Sequence, residues 1–500
     1  MKKFIVLILL LVCFVTCFSQ KRQMRAAWIA TVNNIDWPSQ MGLSTEEQQK
    51  EMVEMLDQFQ KLKFNAIFVQ IRPTSDGFYF SELEPWSKFL TGTQGKRPEP
   101  FYDPLKFIID EAHKRCLEVH AWLNPYRVSM DVQKESLHAS NLFFKKPYLF
   151  VEYGGKYYFN PGLEETRVHL NNVVREIVRN YDVDAIHFDD YFYPYRVANK
   201  EFPDEKTFID NSRGFSDKND WRRDNVNLII KELQQTIKSE KPWVEFGISP
   251  FGVWRNNDKD VRGSATKAGM TNYDDLYADI LKWLEDGDID YVVPQLYWEI
   301  GKRVADYKVL VGWWNKNNFN RNLYIGLFAS GLGQNKSSAW NEGNELVRQM
   351  NLNGSYENVQ GVAFYSAVPL LKNPLGILDS LRTDLFRYCA LVPHKKQLEN
   401  KDKPLAPQNL QIIKGKNKSV LLWEKSKGVG EQKVNTYVVY AFKGDKLGDT
   451  DDEKNIIGIT YNDYFEVEGA SNFSGKYTFG VSCINRFKIE SEVSVISRTF

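Results

Sequence analysis

Val183-Asp-Ala-Ile-His-Phe-Asp-Asp-Tyr-Phe-Tyr-Pro-Tyr195 has the composition of a strand that ends in carboxylates. Val183, Ile186 and Phe188 favour extended backbone, and Pro194 stops any ladder that Tyr191 and Phe192 could continue. Side chains alternate across a strand. Ile186, Phe188 and Asp190 therefore share one face, and His187, Asp189 and Tyr191 share the other. The segment before it, Glu164 to Asn180, places Val168, Val173, Val174, Ile177 and Val178 at helical spacing. Helix followed by buried strand is the rhythm of a parallel sheet, whose ligands sit at the carboxyl ends of the strands. Asp189 and Asp190 stand at that end.

The rhythm repeats along the chain. The run from Arg25 to Thr31 is a first strand, and Ser44-Thr-Glu-Glu47 is a capping sequence for a helix through Lys63. Further strands are expected at Ala66–Pro73, Glu118–Pro125, Asp184–Tyr191, Glu245–Gly252, Tyr291–Trp298, Leu323–Ala329 and Gly361–Ala367, with helical patterns between most of them. Eight such units predict an α/β fold, a (β/α)8 or TIM barrel, over residues 24–392. A doubly wound nucleotide-binding sheet is disfavoured, because no Gly-rich phosphate turn follows the first strand.

The face opposite the helices carries Gln70 and Arg72 on the second strand, and His120, Trp122 and Asn124 on the third. His187 and Asp189 follow on the fourth, Ser249 on the fifth, and Gln295, Tyr297 and Glu299 on the sixth. Polar groups converging from five strands describe a binding pocket, because a purely structural barrel fills its interior with branched apolar residues. Long inserts follow these strands, as expected of loops that form a cleft. Trp86, Trp254, Trp298 and Trp340, in or beside the inserts, are candidate platforms for stacking on sugar rings.

Sixty-five basic residues against 64 acidic ones leave a net charge of +1, which gives no general attraction to nucleic acid or to an anionic membrane. Residues 1–19 read as an export signal: Lys2 and Lys3, an apolar run from Phe4 to Val15, then Thr16, Ser19 and Gln20 around a cleavage point after Ser19. A lipid anchor at Cys17 is the alternative processing. The run is short for a membrane span, so a periplasmic or cell-surface protein is expected. Cys116, Cys389 and Cys483 are too few and too widely spaced for a disulfide scaffold or a zinc site.

Pro393 and Pro404 bracket a charged linker, residues 393–406, and residues 407–500 then alternate as short strands. That pattern predicts a small all-β immunoglobulin-like sandwich. Leu422-Trp423, Tyr437-Val-Val-Tyr440 and Tyr477-x-Phe-x-Val resemble a fibronectin type III module, in which Trp423 is the core tryptophan and Tyr477 the corner tyrosine. No catalytic constellation is visible there. A chain ending near Lys395 is accordingly expected to fold as a barrel by itself.

The motifs Arg25-Ala-Ala-Trp28, Gln70-x-Arg72-Pro73, His120-Ala-Trp-Leu-Asn124, His187-Phe-Asp-Asp-Tyr191, Gly247-x-Ser249-Pro250 and Pro294-Gln-x-Tyr297-Trp298 resemble the bacterial glycosyl-hydrolase-10-like family of exported glycosidases. The resemblance implies a β/α barrel that hydrolyses glycosidic bonds, with peptidoglycan strands stripped of their peptides as substrate. The fourth-strand motif is also similar to the chitinase pattern D-x-x-D-x-D-x-E, with Asp184 and Asp189 in the first and third acidic places. There His187 replaces the second acid and Tyr191 stands where the catalytic Glu would be. Hydrolysis needs an acid and a second carboxylate. Asp189 is the first candidate, Glu299 its expected partner and Asp190 the next. Gln70, Arg72, His120, Trp122, Asn124, His187, Tyr191, Ser249, Gln295, Tyr297 and Trp298 are the expected substrate contacts. The chemistry calls for no cofactor and no metal, although Asp189, Asp190 and His187 could together hold one. Two other readings stand beside the hydrolase: a silent barrel that only binds glycan, and a metal-dependent polysaccharide deacetylase.

Overall fold

The structure is a computed structural model that describes residues 20–334, 336–342, 344–395, 398, 402–414, 418–467 and 473–499. The export signal and Cys17 lie outside the described residues, as do parts of the linker. The first strands are β1 (Met24–Ile29), β2 (Ala66–Arg72) and β3 (Glu118–Leu123). A hairpin, β4 (Phe150–Tyr153) and β5 (Lys156–Phe159), then interrupts the rhythm. After it come β6 (Ala185–Phe188), β7 (Glu245–Ile248), β8 (Tyr291–Val292), β9 (Asn322–Leu327) and β10 (Val359–Phe364). Eight of these strands pair in parallel and close a barrel in the order β1-β10-β9-β8-β7-β6-β3-β2.

Helices cover the outside. The one at Thr45–Lys61 starts with the capping box read from the sequence, Ser44 and Glu47 hydrogen-bonding reciprocally, and buries Met52, Met55, Leu56 and Phe59. Several strands are shorter than expected, and two of the differences matter for the site. The sixth pairs only over Tyr291–Val292, because Pro294 has no N–H for the ladder; Gln295 then makes single bridges to Phe251 and Gly326. The fourth ends at Phe188, so strict alternation stops one residue before the carboxylates.

The barrel interior is filled in layers. In the middle, the Tyr291 hydroxyl lies 2.8 Å from Nδ1 of His120 and 3.1 Å from Nδ1 of His187, with the Phe68 ring against both imidazoles. Gly247 makes room for that tyrosine: a Cβ there would stand 2.0 Å from the Tyr291 ring. Burial and the neighbouring His120 lower the His187 pKa well below its ordinary value, so its ring is neutral. His120 and His187 are thus packed in the barrel interior, and neither is among the residues that line the cleft.

The C-terminal residues form two antiparallel sheets. One joins β11 (Gln408–Lys414), β12 (Ser419–Glu424) and β15 (Tyr464–Val467). The other joins β13 (Thr436–Lys443), β14 (Ile456–Thr460), β16 (Lys476–Ile484) and β17 (Ser494–Thr499). Between them Leu421, Trp423, Tyr437, Val439, Phe479 and Val481 make a core, and Tyr477 packs against Phe473.

This small β unit closes the end of the barrel opposite the carboxylates. Arg486 and Lys488, in the turn after β16, reach acidic residues at the start of barrel strands: Arg486 pairs with Asp182 and, at 3.5 Å, with Asp184, and Lys488 lies 2.8 Å from Glu245 and 3.1 Å from Glu118. Asp184, one of the two residues that match the chitinase pattern, is therefore an interface residue bonded to His113 at 2.9 Å, at the end of its strand opposite Asp189. Burial works against the Lys488 charge, but the two glutamates outweigh it and hold its pKa above the ordinary lysine value. The expectation of a self-sufficient barrel ending near Lys395 does not fit this contact.

Candidate active site

At the carboxyl ends of the strands a cleft of about 600 Å³ opens. Its floor is made by barrel strands: Trp28 on β1, Gln70 on β2, Trp122 on β3, Asp189 and Asp190 just past β6, Ser249 past β7, and Gln295 and Tyr297 past β8. Its walls come from loops, with Arg127 and Met130 after β3, Tyr153, Lys156 and Tyr158 on the hairpin, Tyr191 and Tyr195 after β6, and Tyr365 after β10.

Asp189 is buried and held by three donors. Trp122 Nε1 donates to Oδ2 at 3.0 Å, Asn124 Nδ2 approaches both oxygens at 3.2 and 3.3 Å, and the Tyr191 backbone N–H donates to Oδ1 at 3.2 Å. Burial raises its pKa, while Arg127 and these donors oppose the rise. Asp190 is equally buried; the Tyr195 hydroxyl donates to its Oδ2, and the Gln295 side chain also hydrogen-bonds the carboxyl. Burial first, and then the adjacent Asp189 charge, push its pKa up to about 7. Strict strand alternation would turn Asp190 away from the pocket. The chain bends after Phe188, and both carboxylates line the cleft.

Glu299 does not join them. Lys302 Nζ lies 3.0 Å from it, Trp340 Nε1 donates at 3.2 Å and Ser337 Oγ at 3.3 Å, in a loop pocket outside the cleft lining. Although burial opposes it, a hydrogen bond from its own backbone N–H, followed by those from Lys302 and Trp340, holds its pKa below the usual range. Arg72 is likewise turned to structure, forming a bidentate pair with Glu84 at 2.6 and 2.7 Å and donating to the Asn124 carbonyl. Asn124 acts from beneath, orienting Asp189 and accepting the Arg127 backbone N–H. Trp298 packs edge-on against Phe251, and Trp86, Trp254 and Trp340 also lie off the cleft. The aromatic surface available to a sugar is instead Trp28, Trp122 and the tyrosines. Asp189, Asp190, Gln70, Trp122, Tyr191, Ser249, Gln295 and Tyr297 are brought together; Gln70 accepts two backbone N–H groups through Oε1 and leaves Nε2 buried without a partner at the cleft.

The sequence profile of the family described as glycosyl hydrolase-like 10 matches residues 23–342. The chain belongs to that family. The protein is accordingly a glycosidase of the glycosyl hydrolase-like 10 family, built on a closed β/α barrel. Glycosyl hydrolase YngK of Bacillus subtilis is 44% identical over 481 residues, covering 95% of this chain and 92% of that protein. Glycosyl hydrolase DigH of Escherichia coli K12 is 37% identical over 373 residues, covering 70% of this chain and 84% of that protein.

Within this family member, sequence reasoning missed Arg127 and Lys156. Arg127 follows Asn124-Pro-Tyr and donates through Nε and Nη2 to the Pro73 carbonyl at 3.1 and 3.0 Å, with its guanidinium 5.4 Å from the centre of the Tyr191 ring. Lys156 stands on the inserted hairpin, and burial, with help from the Arg127 charge, lowers its pKa. The visible signal was an aromatic-rich insert between residues 128 and 162, which marked the loop without its two cations. His187 bonds to Ser249 Oγ at 2.9 Å and to Tyr291, so it does not complete a triad with the two aspartates. Among the described residues, no group of three or more His, Cys, Asp or Glu side chains is placed to hold a metal ion.

Proposed function

We propose that this glycosidase is exported and hydrolyses the glycan strands of bacterial peptidoglycan once their peptides have been removed, with Asp190 as the general acid. The observation that carries the reading is the Asp190 carboxyl, buried on the cleft floor with its pKa near 7 beside Asp189. A carboxyl so placed keeps its proton at neutral pH and can deliver it to a leaving glycosidic oxygen. Asp189, cradled by three donors, is the charged partner.

The choice of an acidic glycan rests on Arg127 and Lys156. Two cations on one wall repel each other, and a bound carboxylate relieves that repulsion. A lactyl ether on every second sugar supplies such a carboxylate, whereas bulky stem peptides would crowd a cleft of this volume. A second groove of about 350 Å³ continues from the cleft and shares Tyr153, Pro194 and Val197 with it, as a polymer substrate requires. Export rests on the basic and apolar N-terminal pattern.

The test is incubation of purified protein with intact and with peptide-stripped peptidoglycan, followed by mass analysis of what is released. Soluble oligosaccharides from the stripped material are expected. Retention of glycan with no release would establish the silent binder instead, and release of acetate alone would establish a deacetylase.

Two further outcomes follow from the charges. Above about pH 7, kcat/KM is expected to fall about tenfold per pH unit as Asp190 loses its proton, and an alkaline plateau would remove it as the acid. Lys156→Gln is expected to raise KM about tenfold on the acidic glycan, the scale of one charge-assisted hydrogen bond. On the same glycan with its carboxyls reduced to alcohols, wild type and variant should have equal KM; a penalty there as well would mean that Lys156 acts through loop structure.

A further inference from the structure

The two carboxylates that line the cleft are consecutive residues at the end of one strand. A protein nucleophile must reach the anomeric carbon from the face opposite the leaving group, while the acid sits beside the leaving oxygen. Neighbours on one chain end approach a sugar from one side. Glu299, the carboxylate that could have stood across the cleft, is tied to Lys302 and Trp340. Asp36, near the same end, accepts from the Ala30 and Val368 backbone N–H groups and from Ser366 Oγ.

Asp189 itself has the surroundings of an orienting group. Both of its oxygens already accept hydrogen bonds from Trp122, Asn124 and Tyr191, which fix the carboxylate plane and stabilise its charge. A carboxylate so held is a poor attacking group, since the donors stabilise its charge and so weaken it as a nucleophile. It is well placed to accept one more N–H from the cleft. The Trp28 and Trp122 rings beside it offer an apolar surface to a methyl group.

We propose that the nucleophile is supplied by the substrate: the carbonyl oxygen of a 2-acetamido group attacks the anomeric carbon while Asp189 receives the acetamido N–H and Asp190 protonates the leaving oxygen. The inference rests on the reading above that the substrate is an N-acetylated amino-sugar glycan. In the first step the bond from C1 to the acetamido oxygen forms as the bond from C1 to the leaving oxygen breaks. The departing electron pair takes the Asp190 proton, and the positive charge of the resulting oxazolinium ion lies against the Asp189 carboxylate. In the second step a water molecule gives a proton to the Asp190 carboxylate and bonds to C1, and the C1–oxygen bond of the oxazolinium ring breaks to restore the acetamide. The sum is hydrolysis with retention of configuration, and both aspartates return to their starting states.

Wild-type protein suffices for the test, with peptide-stripped glycan oligosaccharides carrying acetyl, monofluoroacetyl or trifluoroacetyl groups at the 2-amino position. Fluorine weakens the carbonyl as a nucleophile, so kcat is expected to fall along the series, by about tenfold or more at the trifluoro member, with little change in KM. Proton NMR of the first-formed product should show the starting anomer, and a thiazoline-fused sugar that mimics the bicyclic ion should inhibit competitively. Inverted product, rates indifferent to fluorination, or a trapped glycosyl ester on Asp189 would each overturn the proposal while leaving the substrate assignment standing. Failure of the wild type to cleave any N-acetylated glycan would overturn the substrate assignment and this proposal together.

Discussion

Asp190→Asn is expected to lower kcat by about 10²- to 10⁴-fold, the usual contribution of a positioned general acid. The amide keeps the shape and removes the transferable proton, so KM should change little. A stability measurement on the same variant checks that the fold is intact, and it has a definite sign. The Asp190 carboxyl titrates near 7 in the folded chain against an ordinary value of 3.8, so between those limits the native state binds more protons than the unfolded one. Stability therefore falls as pH rises from about 4 to about 7, and the loss is complete above that window. Asparagine has no charge to bury. The variant should be more resistant to thermal unfolding than wild type at pH 8, and the gap should close toward pH 4. Glu299→Gln is the contrasting protein, with activity close to wild type, because its partners Lys302 and Trp340 lie outside the cleft. If Glu299→Gln is inactive and Asp190→Asn is not, the assignment of the acid is wrong.

Lys488→Met is expected to cost about 3–5 kcal/mol, the scale of removing one partner from a buried ion cluster. The ammonium is enclosed by Glu118 and Glu245 at the closed end of the barrel, and His120 lies 3.2 Å from Glu118. Methionine fills similar volume, so the loss reports the uncompensated carboxylates. Adding Glu118→Gln and Glu245→Gln to Lys488→Met should recover much of the loss by leaving no unpaired charge. Chemical denaturation of the single and triple variants decides it. Equal stability of Lys488→Met and wild type would show that the cluster is not a support of the fold. By the same contact, a chain cut near Lys395 should lose cooperative unfolding, since it lacks both Lys488 and Arg486.

Much of the barrel was legible because its information is local. Eight alternating runs of apolar strand and amphipathic helix sit within single windows of sequence, and parallel connection follows from the crossovers. Asp189, Trp122, Gln70 and Gln295 were found by facing and strand end alone. Parity failed where the ladder failed. Beyond Phe188 and Pro294 the backbone bends, so Asp190 turned inward and Glu299 left the cleft. Facing also says nothing about depth: His120 and His187 point inward but lie in a middle layer under the floor, bonded through Tyr291.

By itself, then, the sequence determined the number and order of the strand and helix units, the apolar faces that close them into a barrel, and the end at which carboxylates gather. These follow from periodicity and turn chemistry, which act over a few residues. Tertiary structure alone decided which charges have partners. Arg72 was withdrawn by Glu84, Glu299 by Lys302, and Asp184 by Arg486, which is more than 300 positions away; Arg127 and Lys156 were brought to the cleft from an insert. A carboxylate's protonation is set by burial and by the nearest charges in space. No local window of sequence contains those distances, which is why the two adjacent carboxylates could be placed at a strand end but their different surroundings could not be told apart until the chain was folded.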